Sequence, residues 1–265
     1  MPSFFLTFSF ILGVLIGSFL NVVALRYNTG MTLKGRSKCF SCGKNLSWYE
    51  LIPVFSFIFQ KGKCKGCKGK ISWQYPAVEL LAGLLFVLIF YFFPPNTLES
   101  SFNTIYYTFI TCLLLVIAVY DIRHKIIPDA LVYTFAFVAL ARLFVASDLS
   151  FMIPSISDLI AGPLIALPFA ILHFVSRGAW MGFGDAKLAL GIGWVLGINS
   201  GVSAVVLAFW IGAVISVLWM YIVFRKIKSK YEVPFGPYLI LGMYLVLLFK
   251  IHVIDFNPFI DYFLS

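Results

Sequence analysis

Long apolar runs follow one another along most of this chain, separated by short polar joints and by one long polar stretch near the start. A helix needs about 20 apolar residues to cross the ~30 Å hydrocarbon core of a membrane. Apolar runs at residues 4–25, 76–93, 105–120, 130–145, 159–175, 186–196, 202–224 and 238–249, the sixth and eighth of them shorter than a full span, predict an all-α polytopic membrane protein with about eight transmembrane helices. Pro76 suits a first helical turn, and Pro94-Pro95 stops the second helix. Pro163 and Pro168 are expected to loosen the fifth, while Gly191, Gly193 and Gly197 make the sixth short and closely packed. The stretch 48–59 is apolar but too short to span. Pro53 argues against one unbroken helix there, and the stretch reads as an interfacial segment with Trp48 and Tyr49 near the headgroups. No internal repeat and no low-complexity linker is visible.

Composition agrees with lipid as the main solvent. Of 265 residues, 61% are hydrophobic and 12% charged, about half of the ~25% charged that soluble domains carry. Aromatics reach 18%, chiefly from 29 Phe. The net charge of +9 does not point to nucleic acid, because the basic residues lie in loops between spans rather than along one stripe. The first run has no basic leader and no small-residue cleavage site, so it is expected to be a retained helix rather than a removed signal.

Charge also sets the expected sidedness. With eight spans and residues 26–75 on the inside, both termini lie outside. Then 18 of the 20 Lys and Arg fall on inner segments, and Arg142 and Lys250 are the exceptions. Inner basic residues include Lys34, Arg123, Lys125, Arg177, Lys187, Arg225, Lys226, Lys228 and Lys230; outer segments collect Glu99, Asp148, Asp158, Asp255 and Asp261. That asymmetry is the positive-inside bias.

Two carboxylates stand out against this background: Asp121, in Tyr120-Asp121-Ile122-Arg123-His124, and Asp185, in Gly182-Phe183-Gly184-Asp185. A charged side chain at membrane depth costs about 2.5–3.5 kcal/mol even on mild scales and is a functional candidate. The third helix runs inward to Asp121 and the sixth starts from the inner face at Asp185, so both acids are expected at one depth. Two carboxylates brought together share a proton. One then acts as base on a water while the other protonates a peptide carbonyl. Gly182 and Gly184 leave the backbone free to bend and to approach a substrate strand.

Structural alternatives accompany each acid. Asp185 at a helix start fits an N-cap, and Asp129 after Pro128 fits one better. Asp121 at a helix C-terminus opposes the macrodipole, offset by Arg123, His124 and Lys125. His124 and His173 read as structural. Asn21, beside Gly17 and Ser18, reads as a hydrogen-bonding contact between helices. Glu79 either complements the start of the second helix or faces a polar cavity.

Four of the five cysteines form two Cys-x-x-Cys pairs, Cys39/Cys42 and Cys64/Cys67, separated by 21 residues. That spacing is close to paired structural Zn²⁺ knuckles, and it argues for metal ligation rather than a disulfide framework. Metal binding contributes roughly 10–16 kcal/mol of folding free energy in model fingers, enough to order a polar loop without its own core. Cys112 reads as a buried apolar residue.

Taken together and in order, these motifs resemble the type IV prepilin peptidase family. The resemblance covers Gly17-Ser18-Phe19-Leu20-Asn21, the two cysteine pairs, Tyr75-Pro76-Ala77-Val78-Glu79, and Asp121 with Ile127-Pro128-Asp129. It continues through Gly182-Phe183-Gly184-Asp185-Ala186-Lys187-Leu188, a GxGD pattern, to Pro234-Phe235-Gly236-Pro237. Phe40 stands where the family often has Pro. The resemblance implies a bacterial inner-membrane aspartic endopeptidase with Asp121 and Asp185 as its acids, supported by Gly182, Gly184 and Lys187. It implies prepilin or pseudopilin precursors as partners, cut after a Gly that ends a short basic leader, at the cytoplasmic face. Members with the cysteine loop also resemble N-methyltransferases that use S-adenosylmethionine on the new N-terminus. No glycine-rich nucleotide fingerprint assigns residues to that donor. The expected organisation is a first transmembrane helix (1–25), a cytoplasmic zinc-binding, methyltransferase-associated loop (26–75) and a peptidase bundle (76–265). Alternatives are another GxGD intramembrane protease, which is not expected to carry the four-cysteine loop; a proton-coupled transporter, which more often shows repeats and midplane acids; and a non-enzymatic zinc-bearing scaffold.

Overall fold

The structure, a computed structural model, describes residues 3–30, 32, 35–146, 149–224 and 233–253. Lys34, Asp148, Arg225, Lys226, Lys228, Lys230, Asp255 and Asp261, which enter the charge asymmetry above, lie outside the described residues. Among the described residues there are α-helices and short turns but no strand. The helices are α1 (Ser3–Arg26), α2 (Phe55–Phe59), α3 (Gln74–Phe92), α4 (Leu98–His124), α5 (Asp129–Arg142), α6 (Ile156–Ser176), α7 (Phe183–Phe224) and α8 (Gly236–Phe249). Five of them, α1, α3, α4, α6 and α7, are long and apolar enough to cross a membrane. Gly197, at φ 76° and ψ −178°, divides α7 into limbs 183–196 and 198–224. Only glycine takes that conformation readily, and the two limbs correspond to the separate sixth and seventh helices expected. Counting both limbs with α1, α3, α4, α5, α6 and α8 reproduces the expected set of apolar helices.

Helix ends differ from expectation where side chains cap them. Thr97 and Ser100 exchange hydrogen bonds ahead of α4, which starts several residues early, and α4 continues to His124. Asp121 therefore lies inside the last turn rather than beyond it. Ser155 and Asp158 form a reciprocal capping box that starts α6, and Pro163 and Pro168 sit within that helix without ending it.

The chain divides into two compact units, Met1–Val119 and Tyr120–Ser265, with α4 passing from one to the other. In the first unit α1 packs on α3. A Cβ at Gly13 would lie 2.7 Å from the Ala82 carbonyl oxygen, and one at Gly17 would lie 2.7 Å from Ala82 Cβ. In lipid the apolar effect does not drive helices together, so such close backbone packing carries the association. Asn21 is fully buried; its amide donates to the Tyr75 carbonyl at 3.2 Å and accepts from Gln74 Nε2 at 3.5 Å. The expected role as a contact between helices holds.

The polar stretch contains a sharper feature. The apolar run after Ser47 breaks into a short 3₁₀ turn, Trp48–Glu50, and α2. Between them the Phe55 N–H donates to the Pro53 carbonyl at 2.6 Å, and Val54 takes φ 62° and ψ −56°. This is the rarer, strained kind of γ-turn, and a residue held in such a region costs about 1–3 kcal/mol. Buried Glu79 accepts the Val54 N–H at 2.7 Å. Its side chain thus serves α2's approach rather than the start of its own helix.

In the second unit, the first limb of α7 packs on α5 and α6. Gly191 lies against the Phe135 ring, and a Cβ at Gly193 would lie 2.6 Å from the Ala161 carbonyl. Phe135, Phe169, Leu188, Ile192, Leu239 and Met243 are buried around it.

Gly13→Ala tests the α1–α3 contact. Helix propensity alone favours Ala by about 1 kcal/mol, whereas overpacking costs about 1–3 kcal/mol. A lower thermal midpoint in detergent is expected, and an unchanged or higher midpoint would rule the contact out.

Candidate active site and metal centre

Asp121 and Asp185 both belong to the second unit, and both are buried, at 4% and 9% exposure. They are close enough for the charge on one to act on the other. Their surroundings differ. Asp121 Oδ2 accepts the buried N–H of Gly236, the first residue of α8, at 3.1 Å. Asp185 sits in the first turn of α7 and accepts no hydrogen bond among the described residues. A hydrogen bond to a charged group contributes about 1.5–3 kcal/mol, and a helix end about 0.3–1 kcal/mol. For Asp121 the end of α4 and the start of α8 oppose each other, which leaves the hydrogen bond to decide. Asp121 is the better-held anion of the two.

Ile127 joins the three segments that carry these groups. A Cβ at Gly184 would lie 2.8 Å from Ile127 Cβ, and one at Gly236 would lie 3.3 Å from Ile127 Cδ1 and 2.8 Å from Asp121 Oδ2. Glycine at both places lets the starts of α7 and α8 close on the turn after α4. Gly184 is thus required by packing, while Gly182 stays open, its nearest neighbour being Asp185 Oδ2 at 3.9 Å from a built Cβ.

Asp129 is not the N-cap expected of it. Pro128 holds the cap position, and the Asp129 carboxylate pairs with Lys187 Nζ at 2.6 Å. The same ammonium lies 5.0 Å from the Tyr133 ring centre and 5.3 Å from that of Phe183. The pair ties the start of α5 to the start of α7, two residues from Asp185. His173 holds the approach to α7 through its Nδ1, 3.0 Å from the Met181 carbonyl. His124 stacks on Tyr120, so both histidines have structural roles. Cys112 is half-buried in α4 rather than fully buried.

In the first unit, Cys39, Cys42, Cys64 and Cys67 bring their sulfurs within 4.8 Å of one another. A tetrahedral Zn²⁺ with bonds of ~2.3 Å sets its sulfurs about 3.8 Å apart, and Cys39 Sγ lies 3.9 Å from Cys67 Sγ. The donor set fits a closed structural zinc site. Backbone donors of Cys42 and Ser41 bring the Cys39 thiol down to about 6. The Gly69 donor favours a thiolate at Cys67 too, but competition from Cys42 and the other sulfurs pushes it up to about 11. A bound cation would draw all four toward thiolate. The two halves repeat one turn. Cys39 N–H donates to the Lys44 carbonyl and Gly43 N–H to the Cys39 carbonyl, just as Cys64 pairs with Gly69 and Lys68 with Cys64, all at 2.9 Å. Gly43 and Lys68 occupy the same left-handed position at φ 70° and 61°. The repeat shows in the sequence as well, with Lys38 and Lys63 before each first cysteine and Ser47-Trp48 and Ser72-Trp73 after each pair, which corrects the expectation that no internal repeat is present.

Glu50 locks the module from the side. Its carboxylate accepts the Ser47 N–H at 2.9 Å and pairs with Lys44 at 3.2 Å, which holds it below the usual carboxylate range.

Comparison with known proteins gives a consistent result. Residues 11–93 match the bacterial peptidase A24 N-terminal domain, and residues 108–217 match the type IV leader peptidase family. A prepilin leader peptidase/N-methyltransferase of Bacillus subtilis (strain 168) is 32% identical over 95% of this chain and 97% of that protein. The chain belongs to the type IV leader peptidase family. Proteins of the same description from Stutzerimonas stutzeri and Pseudomonas aeruginosa are each 27% identical, over 93% of this chain and 91% of their own length. No solved structure matched the chain. As a member of this leader peptidase family it is a multi-pass membrane peptidase. The matched N-terminal domain contains the cysteine cluster and Glu79; the matched peptidase segment contains both aspartates.

Two outcomes check these sites. Cys64→Ser is expected to abolish binding of about one zinc per chain, measured by elemental analysis of the purified protein, and to expose the 26–75 segment to protease. Gly236→Ala presses a Cβ against Asp121 Oδ2 and is expected to lower peptide cleavage at least tenfold or so with the zinc content unchanged.

Proposed function

We propose that this chain is an endopeptidase that removes the short basic leader of prepilin-like precursors. Cleavage follows a Gly at the cytoplasmic membrane face, with both termini of the enzyme on the other side, and the new N-terminal residue is then N-methylated. The observation that carries the peptidase reading is the interacting pair of buried carboxylates, Asp121 and Asp185, at the ends of two apolar helices of a family named for leader peptidases. Asp121, with Gly236 N–H already on it, stays anionic and takes a proton from the attacking water. Asp185, with no donor of its own among the described residues, holds the proton that passes to the scissile carbonyl. Gly182 leaves room beside Asp185 for an extended substrate backbone, and Lys187, bound to Asp129, fixes the turn of α7 that carries Asp185.

The cysteine module has a structural part in this scheme, with Cys39, Cys42, Cys64 and Cys67 holding Zn²⁺. Trp48, Phe55, Ile58, Phe59 and Trp73 are exposed on that lysine-rich module, which suits the interface of the membrane that α1 and α3 enter. Methylation is supported by the names of the relatives, prepilin leader peptidase/N-methyltransferase. S-adenosylmethionine, when bound, supplies an activated methyl group on a sulfonium.

The test is mass analysis of a prepilin after incubation with purified enzyme. Asp121→Asn and Asp185→Asn are each expected to lower leader release by about 10²–10⁴-fold while zinc content and expression stay level. Full activity in either variant would end the reading.

A further inference from the structure

Glu79 is a buried acid that the peptidase chemistry does not use. It is 6% exposed, lies one turn inside α3 beside Ser18, and takes a hydrogen bond from the Val54 N–H at 2.7 Å. Among the described residues no cation pairs with it. A buried carboxylate without a counter-charge is costly, and an alkylammonium group is the ligand that would relieve it. The surroundings are polar and organised for more than packing. Asn21, fully buried on α1, ties Gln74 and Tyr75 at the start of α3. The strained turn at Val54 aims a backbone N–H at Glu79 itself, and strain of this kind concentrates where a site must be held in shape. All of these residues lie within the N-terminal domain that the family comparison separates from the peptidase segment.

We propose that Glu79, framed by Ser18, Asn21 and the Val54 turn, is the amine-receiving carboxylate of a second active site, and that its ligand is the α-ammonium of the processed substrate. The proposal rests on the methyl-transfer half of the function proposed above. Glu79 takes one proton from the α-ammonium. The freed nitrogen lone pair forms the new N–C bond to the methyl carbon of a sulfonium donor. The C–S bond breaks with its electrons going to sulfur, leaving a neutral thioether and an N-methylammonium product, and Glu79 returns its proton to water.

The experiment uses full-length protein in lipid nanodiscs. Binding is measured for a lysine-free peptide with an apolar first residue, with a free or an acetylated N-terminus. The wild type is expected to favour the free amine by about tenfold, and Glu79→Gln to lose that preference. With prepilin and S-adenosylmethionine, Glu79→Gln is expected to release the leader normally and keep its zinc, while methyl incorporation falls about a hundredfold and Glu79→Asp recovers part of it. Methylation by Glu79→Gln within about threefold of wild type overturns the proposal. So does equal binding of free and acetylated peptides by the wild type, or tighter binding only of a peptide bearing a leader lysine. Loss of zinc and cleavage together with methylation also overturns it, since Glu79 would then act only by holding the Val54 turn and not on the amine. If the wild type adds no methyl yet prefers the free amine through Glu79, the amine site stands and the methyl-transfer reading fails.

Discussion

The peptidase unit depends on how closely the starts of two helices approach one side chain. Ile127 follows α4 by three residues, and the first turns of α7 and α8 both close on it. Any side chain at Gly184 would meet Ile127 Cβ, and any at Gly236 would meet both Ile127 and the Asp121 carboxylate. Through this convergence a carboxylate at the end of one helix receives a backbone N–H from the start of another and lies within electrostatic reach of a carboxylate at the start of a third. The N–H is the asymmetric element. It gives two chemically identical acids unequal surroundings, which is what an acid–base pair needs in order to divide its labour.

The first unit solves a different problem. Its polar stretch buries little of its own, and Phe57 is among the few side chains there with a buried apolar face, its ring tilted against Trp73 at 4.7 Å between centres. Order comes from two repeated cysteine turns, the Glu50 lock and the Glu79–Val54 contact. Metal ligation at one end and a hydrogen bond from a helix at the other hold a loop that hydrophobic packing alone would leave loose.

Much of this was legible in the sequence because lipid imposes long apolar runs that are easily read, and because Cys-x-x-Cys carries its own spacing rule. The helices, the break at Gly197, the cysteine cluster and the Asn21 contact followed from such local signals. What stayed hidden depends on residues far apart in the chain. Lys187 and Asp129 are separated by 58 positions and Glu79 and Val54 by 25, so nothing in either local pattern announces the partner. Asp129 looked like a cap because a helix start after proline usually is one; the tertiary ion pair took the carboxylate instead. The γ-turn at Val54 is the least readable feature, since a β-branched residue is a poor candidate for positive φ.

Three of the helical segments near the aspartates are short. The first limb of α7 covers residues 183–196, and α5 and α8 have 14 residues each. At ~1.5 Å per residue a helix of that length is about 21 Å long, roughly 9 Å short of an average hydrocarbon core. Lipid bordering such stubs thins or dimples to meet them. The headgroup layer would then dip toward the carboxylates, and hydrolysis inside a membrane protein would have its water supply drawn down from the surface rather than carried through a channel.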